Sequence, residues 1–257
     1  MVEAIIGLVG GVLIGATGAG TGSLLTPLLI LAGYRPALAI GTGMGSLFVS
    51  KLVGSVAHRR LGHWPGRTGW FVIAGGLLGV GLASGIAAQW IQPGAEAPLR
   101  RLVGVTLLVA SAAATFASTR QRGAPERTAE AAVPHEATLH SPNRFLLIAV
   151  GTAVAAVVSL TSAGSGSLLV TLLLVATTWR VPQLAAMSNV FGSVVGALTL
   201  GLQWHHRNFD PHLFVLVMAG VVPGVLIGVL VSRRISRQWL VWGVYVLGIY
   251  LGVALLA

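Results

Sequence analysis

Long runs almost without charge fill this chain, and nearly every charged residue sits in the short gaps between them. The apolar stretches cover 4–16, 23–33, 37–57, 68–90 and 102–118, then 145–160, 168–178, 182–202, 213–231 and 239–256. A globule in water must cover its core with polar side chains. A chain with 55% hydrophobic and 9% charged residues, and a mean hydropathy of +0.87, lacks the means to do so. Lipid is the solvent that this pattern demands, and runs of this length and continuity read as helices. The expectation is an all-α integral membrane protein.

Sixteen Lys and Arg against six Asp and Glu give a net charge of +10. In a soluble chain that excess would suggest nucleic acid, but here the basic residues flank apolar runs, where topology and anionic head groups account for them. The partners expected are the lipid bilayer and a small anion, with no nucleic acid, and the sequence leaves room for a homo-oligomer. There is no cysteine, so disulfides, thiolate metal sites and iron–sulfur clusters are excluded. The histidines show no ligand spacing, for His205 and His206 are adjacent and His58 and His63 lie among arginines. Neither metal nor cofactor is implied. Met1-Val2-Glu3 lacks the basic start of a cleavable signal, and the first apolar run is read as retained structure. Tryptophans 64, 70, 90, 179, 204 and 239 mark segment ends, as in an interfacial belt.

The second set of runs repeats the order of lengths of the first. Ala19-Gly20-Thr21-Gly22-Ser23-Leu24-Leu25 matches Ala163-Gly164-Ser165-Gly166-Ser167-Leu168-Leu169 at an offset of 163 − 19 = 144, and Gly75 and Gly79 meet Gly220 and Gly224 at 145. A near-constant offset over this distance signals duplication. The expected organisation is a first transmembrane repeat over 1–118, a cytoplasmic linker over 119–143 and a second repeat over 144–257.

Arg59, Arg60 and Arg67, and then Arg120, Arg122 and Arg127, mark two gaps as cytoplasmic, and Arg233, Arg234 and Arg237 mark a third. The gap at 203–211 then lies outside although its counterpart lies inside, so the halves are inverted, with both termini outside. His205, His206 and Arg207 run against this assignment, and Asp210 offsets them in part. Each half opens with two pieces shorter than the roughly 20 residues needed to span. These pieces are expected to be broken or re-entrant helices, followed by about three full spans.

The breaks fall at 15–23 and 161–167, where Gly and small hydroxyl residues disfavour a continuous helix. Non-helical backbone survives at membrane depth only against protein or a water-filled cavity. A helix restarting there aims unpaired N–H groups and its positive end at the break, which suits an oxyanion. The candidate substrate-binding residues are therefore Gly20, Thr21, Gly22 and Ser23, with Gly164, Ser165, Gly166 and Ser167. Close helix packing is the alternative use of such glycines.

Thr42, Ser46, Ser188 and Asn189 join the set because they begin the third segments after Pro36 and Pro182, and ordinary helix-start chemistry is their alternative. Lys51 is the one ionisable residue well inside an apolar run, where it either faces a cavity and attracts an anion or snorkels to the head groups. All six carboxylates, Glu3, Glu96, Glu126, Glu130, Glu136 and Asp210, lie at run ends or in loops. A pump or cation carrier usually keeps one mid-membrane. No nucleophile stands with a His and a carboxylate at matching depth, so no enzyme is expected, and no catalytic residue is named.

These residues resemble the sulfite exporter TauE/SafE family, also called the toluene sulfonate uptake permease family. The likeness covers nearly the whole chain. It rests on the Gly-rich break followed by Leu24-Leu25-Thr26-Pro27-Leu28, on Ala39-Ile40-Gly41-Thr42, on Gly54-Ser55-Val56-Ala57-His58 before a basic gap, and on Gly75-Gly76-Leu77-Leu78-Gly79. The resemblance implies a multi-pass transporter of the bacterial inner membrane for anions such as sulfite, sulfonates or sulfoacetate, with the two breaks meeting centrally. The second half departs from the first, with Thr171 in place of Pro27 and Met187-Ser188-Asn189 in place of Gly41-Thr42-Gly43. A secondary carrier working by alternating access is the reading carried forward. A passive anion channel is the alternative, with a membrane-embedded enzyme or receptor behind it.

Overall fold

The computed structural model describes residues 2–17, 21–62, 66–90, 96–122, 143–179, 181–232 and 237–256. It is all-helical over these residues: α1 (Val2–Thr17), α2 (Thr21–Leu31), α3 (Pro36–Arg60), α4 (Gly69–Trp90), α5 (Glu96–Arg122), α6 (Arg144–Thr161), α7 (Ser167–Ala176), α8 (Val181–His205), α9 (Pro211–Ser232) and α10 (Arg237–Leu256). Among the described residues five helices, α3, α4, α6, α8 and α9, are long and apolar enough to cross a membrane. Their outward faces carry Leu77, Leu78, Leu82, Leu226 and Leu230, each at least half exposed, an apolar surface suited to lipid.

Three boundaries differ from expectation. The α1 helix continues through Gly15, because Gly15 packs directly on the Val225 backbone and tertiary contact outweighs its poor propensity. The α5 helix starts at Glu96 and runs to Arg122, so its charged first turns, and residues 119–122 assigned to the linker, are helical. The α6 helix, at 18 residues, is long enough to cross by itself rather than being a short piece.

Packing directions follow from named contacts. Tyr34 Oη donates to Glu3 Oε1 at 2.8 Å, which ties the turn after α2 back to the start of α1, while Gly10 lies against Leu25 and Leu28. The first two helices therefore form a re-entrant hairpin. In the second half, Ser162 at the end of α6 meets Gly43, whereas Gly166 meets Lys51, eight residues and about 12 Å further along α3. The chain reverses there too.

The halves interlock rather than stand side by side. Hairpin α1–α2 packs on α9 of the second half, and hairpin α6–α7 packs on α4 of the first. Glycines make both seams: a Cβ on Gly75 would lie 2.2 Å from Ile148 O and one on Gly79 2.3 Å from Thr152 O, while Gly220 and Gly224 would meet Ala4 O at 1.9 Å and Leu8 O at 2.4 Å. The accepting residues differ by 148 − 4 = 144 and 152 − 8 = 144, the spacing of the sequence repeat. The same contact has been built twice.

The pairs α3–α8 and α5–α10 are each their own counterpart under this exchange, and both run antiparallel. Along the first, Phe48, Lys51 and Gly54 meet Gly196, Gly192 and Asn189 in turn. Along the second, Arg100 reaches Ala254 O and Gly248 meets Ser111. Self-paired antiparallel helices are what a two-fold axis lying across the helices requires, so the packing is consistent with an inverted duplication. Arg59, Arg60, Arg67 and Arg144 collect at the end where α3 finishes, and Arg120, Arg122 and Arg237 fall at helix termini on the same side. Glu3, Arg35, Glu96, Arg100, Arg101, Arg207 and Asp210 lie at the other.

Candidate functional site

The central helices α3 and α8 meet through small residues, and this brings a charge into the core. Gly192 stands where α8 crosses Lys51, with room for the lysine stem: a Cβ there would lie 2.9 Å from Lys51 Cγ. The side chain is 9% exposed, and its Nζ donates to Ser188 Oγ at 3.2 Å. It is thus buried between helices rather than snorkelling to head groups. Neighbouring polar contacts extend the seam, with a Ser55–Ser193 hydroxyl pair at 3.4 Å and the Asn189 amide held against Gly54.

The α6–α7 break closes on the same point. Ser162 ends α6 in the left-handed region, at φ 56°, and Gly164 follows at φ +82°. The chain then restarts as α7, where Leu168 N donates to Gly164 O at 2.9 Å and Val170 N to Gly166 O at 3.0 Å. The amides of Ser165, Gly166 and Ser167 have no acceptor among the described residues. A Cβ on Gly166 would lie 3.6 Å from Lys51 Nζ and 3.9 Å from Ser188 Oγ. A helix N-terminus, a buried ammonium and the buried Ser188 hydroxyl, 3% exposed, therefore converge, with Ser165 buried in the adjoining break at 2% exposure.

Of the expected residues, the fold gathers Lys51, Gly164, Ser165, Gly166, Ser167 and Ser188, with Asn189 one turn away. Thr42 is buried further along α3, and its Oγ1 has no hydrogen-bond partner among the described residues. Ser46 is not with them: its hydroxyl donates to Thr42 O within its own helix and contacts Met218 of α9. Gly20 lies outside the described residues. The backbones of Thr21, Gly22 and Ser23 form the start of α2, two residues earlier than the expected restart, and their side chains lie outside the described set.

Three residues absent from the expected set join the two hairpins. Thr26 Oγ1 of α2 shares a hydrogen bond with Ser162 Oγ and donates to Ala39 O at 3.3 Å, and both hydroxyls press on Gly43, which has no side chain to hold them apart. Thr26 stands within the Leu-Leu-Thr-Pro run, but nothing in the sequence pairs it with Ser162.

The site is chemically one-sided. The register that sets Met187-Ser188-Asn189 against Gly41-Thr42-Gly43 (187 − 41 = 146) makes Ala197 the counterpart of Lys51, a small apolar residue. The described carboxylates are at helix ends, so no acid among the described residues neutralises Lys51. A buried cation with a single hydroxyl partner and free amides beside it can hold an anion and can do little for a cation.

The family model for sulfite exporter TauE/SafE matches residues 3–255. The chain is also similar to the probable membrane transporter protein YjnA of Bacillus subtilis (strain 168), 29% identical over 237 residues, which is 90% of each chain. No solved structure matches it.

Proposed function

Because the chain belongs to the sulfite exporter TauE/SafE family and is a multi-pass membrane protein of a transporter family, we propose that it is a secondary carrier of small sulfur-containing anions, such as sulfite or a sulfonate, in the bacterial inner membrane. The observation that carries the reading is Lys51, a buried ammonium with no carboxylate beside it among the described residues, aimed at the N-terminus of α7. Its desolvation is offset only when an anion sits beside it, and the α7 amides and the Ser165, Ser167 and Ser188 hydroxyls supply the remaining ligands.

Alternating access falls to the two interlocked units, α1–α2–α9 and α6–α7–α4, whose glycine seams leave little room for internal movement. The units slide where they meet, along α3–α8 and at the Thr26–Ser162 contact. The basic end of the bundle faces the cytoplasm by the positive-inside rule. The test is flux of labelled sulfite and of an alkyl sulfonate in liposomes holding the purified protein, with counterflow to separate a carrier from a channel. Saturable counterflow, lost in Lys51→Gln, is expected. Absence of any such flux would refute the assignment.

A further inference from the structure

We infer that the site selects by valence: it carries monoanions, such as the bisulfite form of sulfite and alkyl sulfonates, in preference to inorganic dianions such as sulfate and thiosulfate. The inference rests on reading Lys51 as the anion site, and it adds a property which that reading leaves open.

The argument counts formal charge within the bundle. Lys51 is the only charged side chain among the described residues that lies within a helix core, and the uncharged Ala197 occupies its counterpart in the other half. Its neighbours Ser188, Gly166 and Gly192 are neutral. Glu3, Glu96 and Asp210, and the described arginines, stand towards helix ends, with Arg59 and Arg60 more than two turns further along α3. Among the described residues, one positive charge therefore meets whatever binds.

A monoanion makes the loaded site neutral overall, whereas a dianion leaves one negative charge buried without a partner. In a low-dielectric interior an unpaired ion is strongly disfavoured, and the penalty corresponds to a dissociation constant roughly 100-fold weaker. Amides and hydroxyls solvate an oxyanion but add no formal charge, so they do not change the count. The valence preference is set by one side chain.

The experiment measures uptake of labelled bisulfite into proteoliposomes at several pH values, in competition with methanesulfonate, sulfate and thiosulfate. Methanesulfonate is expected to compete at concentrations near its own half-saturation, and sulfate and thiosulfate to need roughly 100-fold more. Bisulfite uptake should fall as pH rises through the range in which bisulfite loses its proton. Methanesulfonate uptake should stay level over that range, which separates titration of the substrate from titration of the protein. Ser188→Lys, which places a second ammonium beside the first, should narrow the gap between sulfate and methanesulfonate, while Lys51→Arg should keep it.

Sulfate or thiosulfate competing as well as methanesulfonate in the wild-type protein would overturn the valence inference and leave anion transport standing. If neither bisulfite nor methanesulfonate moves, the transport assignment itself falls, and this inference with it.

Discussion

Gly220→Ala puts the interlocked packing to a quantitative test. A Cβ at this position would lie 1.9 Å from Ala4 O, 2.7 Å from Leu8 N and 2.8 Å from Ala4 C, all of them backbone atoms that cannot rotate away. An ordinary carbon–oxygen contact needs about 3.3 Å, so α1 and α9 must part locally by about 1.4 Å. A gap of 0.5–1 Å already forfeits roughly a quarter to a half of each van der Waals well, and forcing extra bulk into a packed seam costs about 1–3 kcal/mol. Alanine returns about 1 kcal/mol of helix propensity, which would mask part of the loss. Gly81→Ala supplies the control, because nothing lies within 4 Å of a Cβ there and only the propensity gain remains. The difference between the two variants is then the packing cost alone. At roughly 2–4 °C per kcal/mol for a chain of this size, their midpoints should differ by about 2–12 °C, with Gly220→Ala the lower. Thermal unfolding in one detergent, followed by tryptophan fluorescence, measures this. Coincident midpoints, or a higher one for Gly220→Ala, would show that the two helices do not meet through glycine.

The remaining predictions concern the site and its surroundings. Thr26→Val and Ser162→Ala, made singly and together, should be non-additive by about 1 kcal/mol in unfolding free energy, as expected of a direct buried hydrogen bond, and strict additivity would deny the contact. Gly164→Leu should abolish uptake while the protein still inserts, because its backbone at φ +82° disfavours any side chain and its Cβ would meet Leu168 Cδ1 at 2.7 Å; normal uptake would refute the role of the break. The chain has no cysteine, so introduced pairs report cleanly. Oxidising a Thr26→Cys/Ser162→Cys pair should stop transport, and reduction should restore it. Cross-linking Leu8→Cys to Val221→Cys, within one unit, should leave transport intact, and the opposite pattern would show that the moving bodies are drawn wrongly.

Much of the architecture is legible because lipid imposes a simple code: apolar runs predict all ten described helices, and the repeated Ala-Gly-x-Gly-Ser-Leu-Leu predicts the described break between α6 and α7. Errors came where tertiary contact or charge pattern overrides the run. Gly15 reads as a breaker until Val225 packs against it, and residues 96–101 read as a gap because Glu96, Arg100 and Arg101 interrupt hydropathy on a helix that nevertheless begins there. Within the site, Lys51, Gly166 and Ser188 could each be singled out by residue type. Their meeting could not, since it depends on the antiparallel register of α3 on α8, which no local signal encodes. The same holds for Thr26, Gly43 and Ser162, which are ordinary residues of apolar helices until the two hairpins touch. The packing glycines show the converse: Gly75, Gly79, Gly220 and Gly224 were recognised as a repeat, and the structure gives that repeat its physical meaning as two equivalent seams.

Equilibrium binding tests the central claim most directly. Labelled bisulfite titrated onto the purified protein, in wild-type form and as Lys51→Gln, reports whether the buried ammonium and the α7 amides hold an anion. Saturable binding of one anion per chain, lost in the variant, is the expected result. Binding of equal affinity in Lys51→Gln would contradict it, since the charge on which the site is built would then play no part.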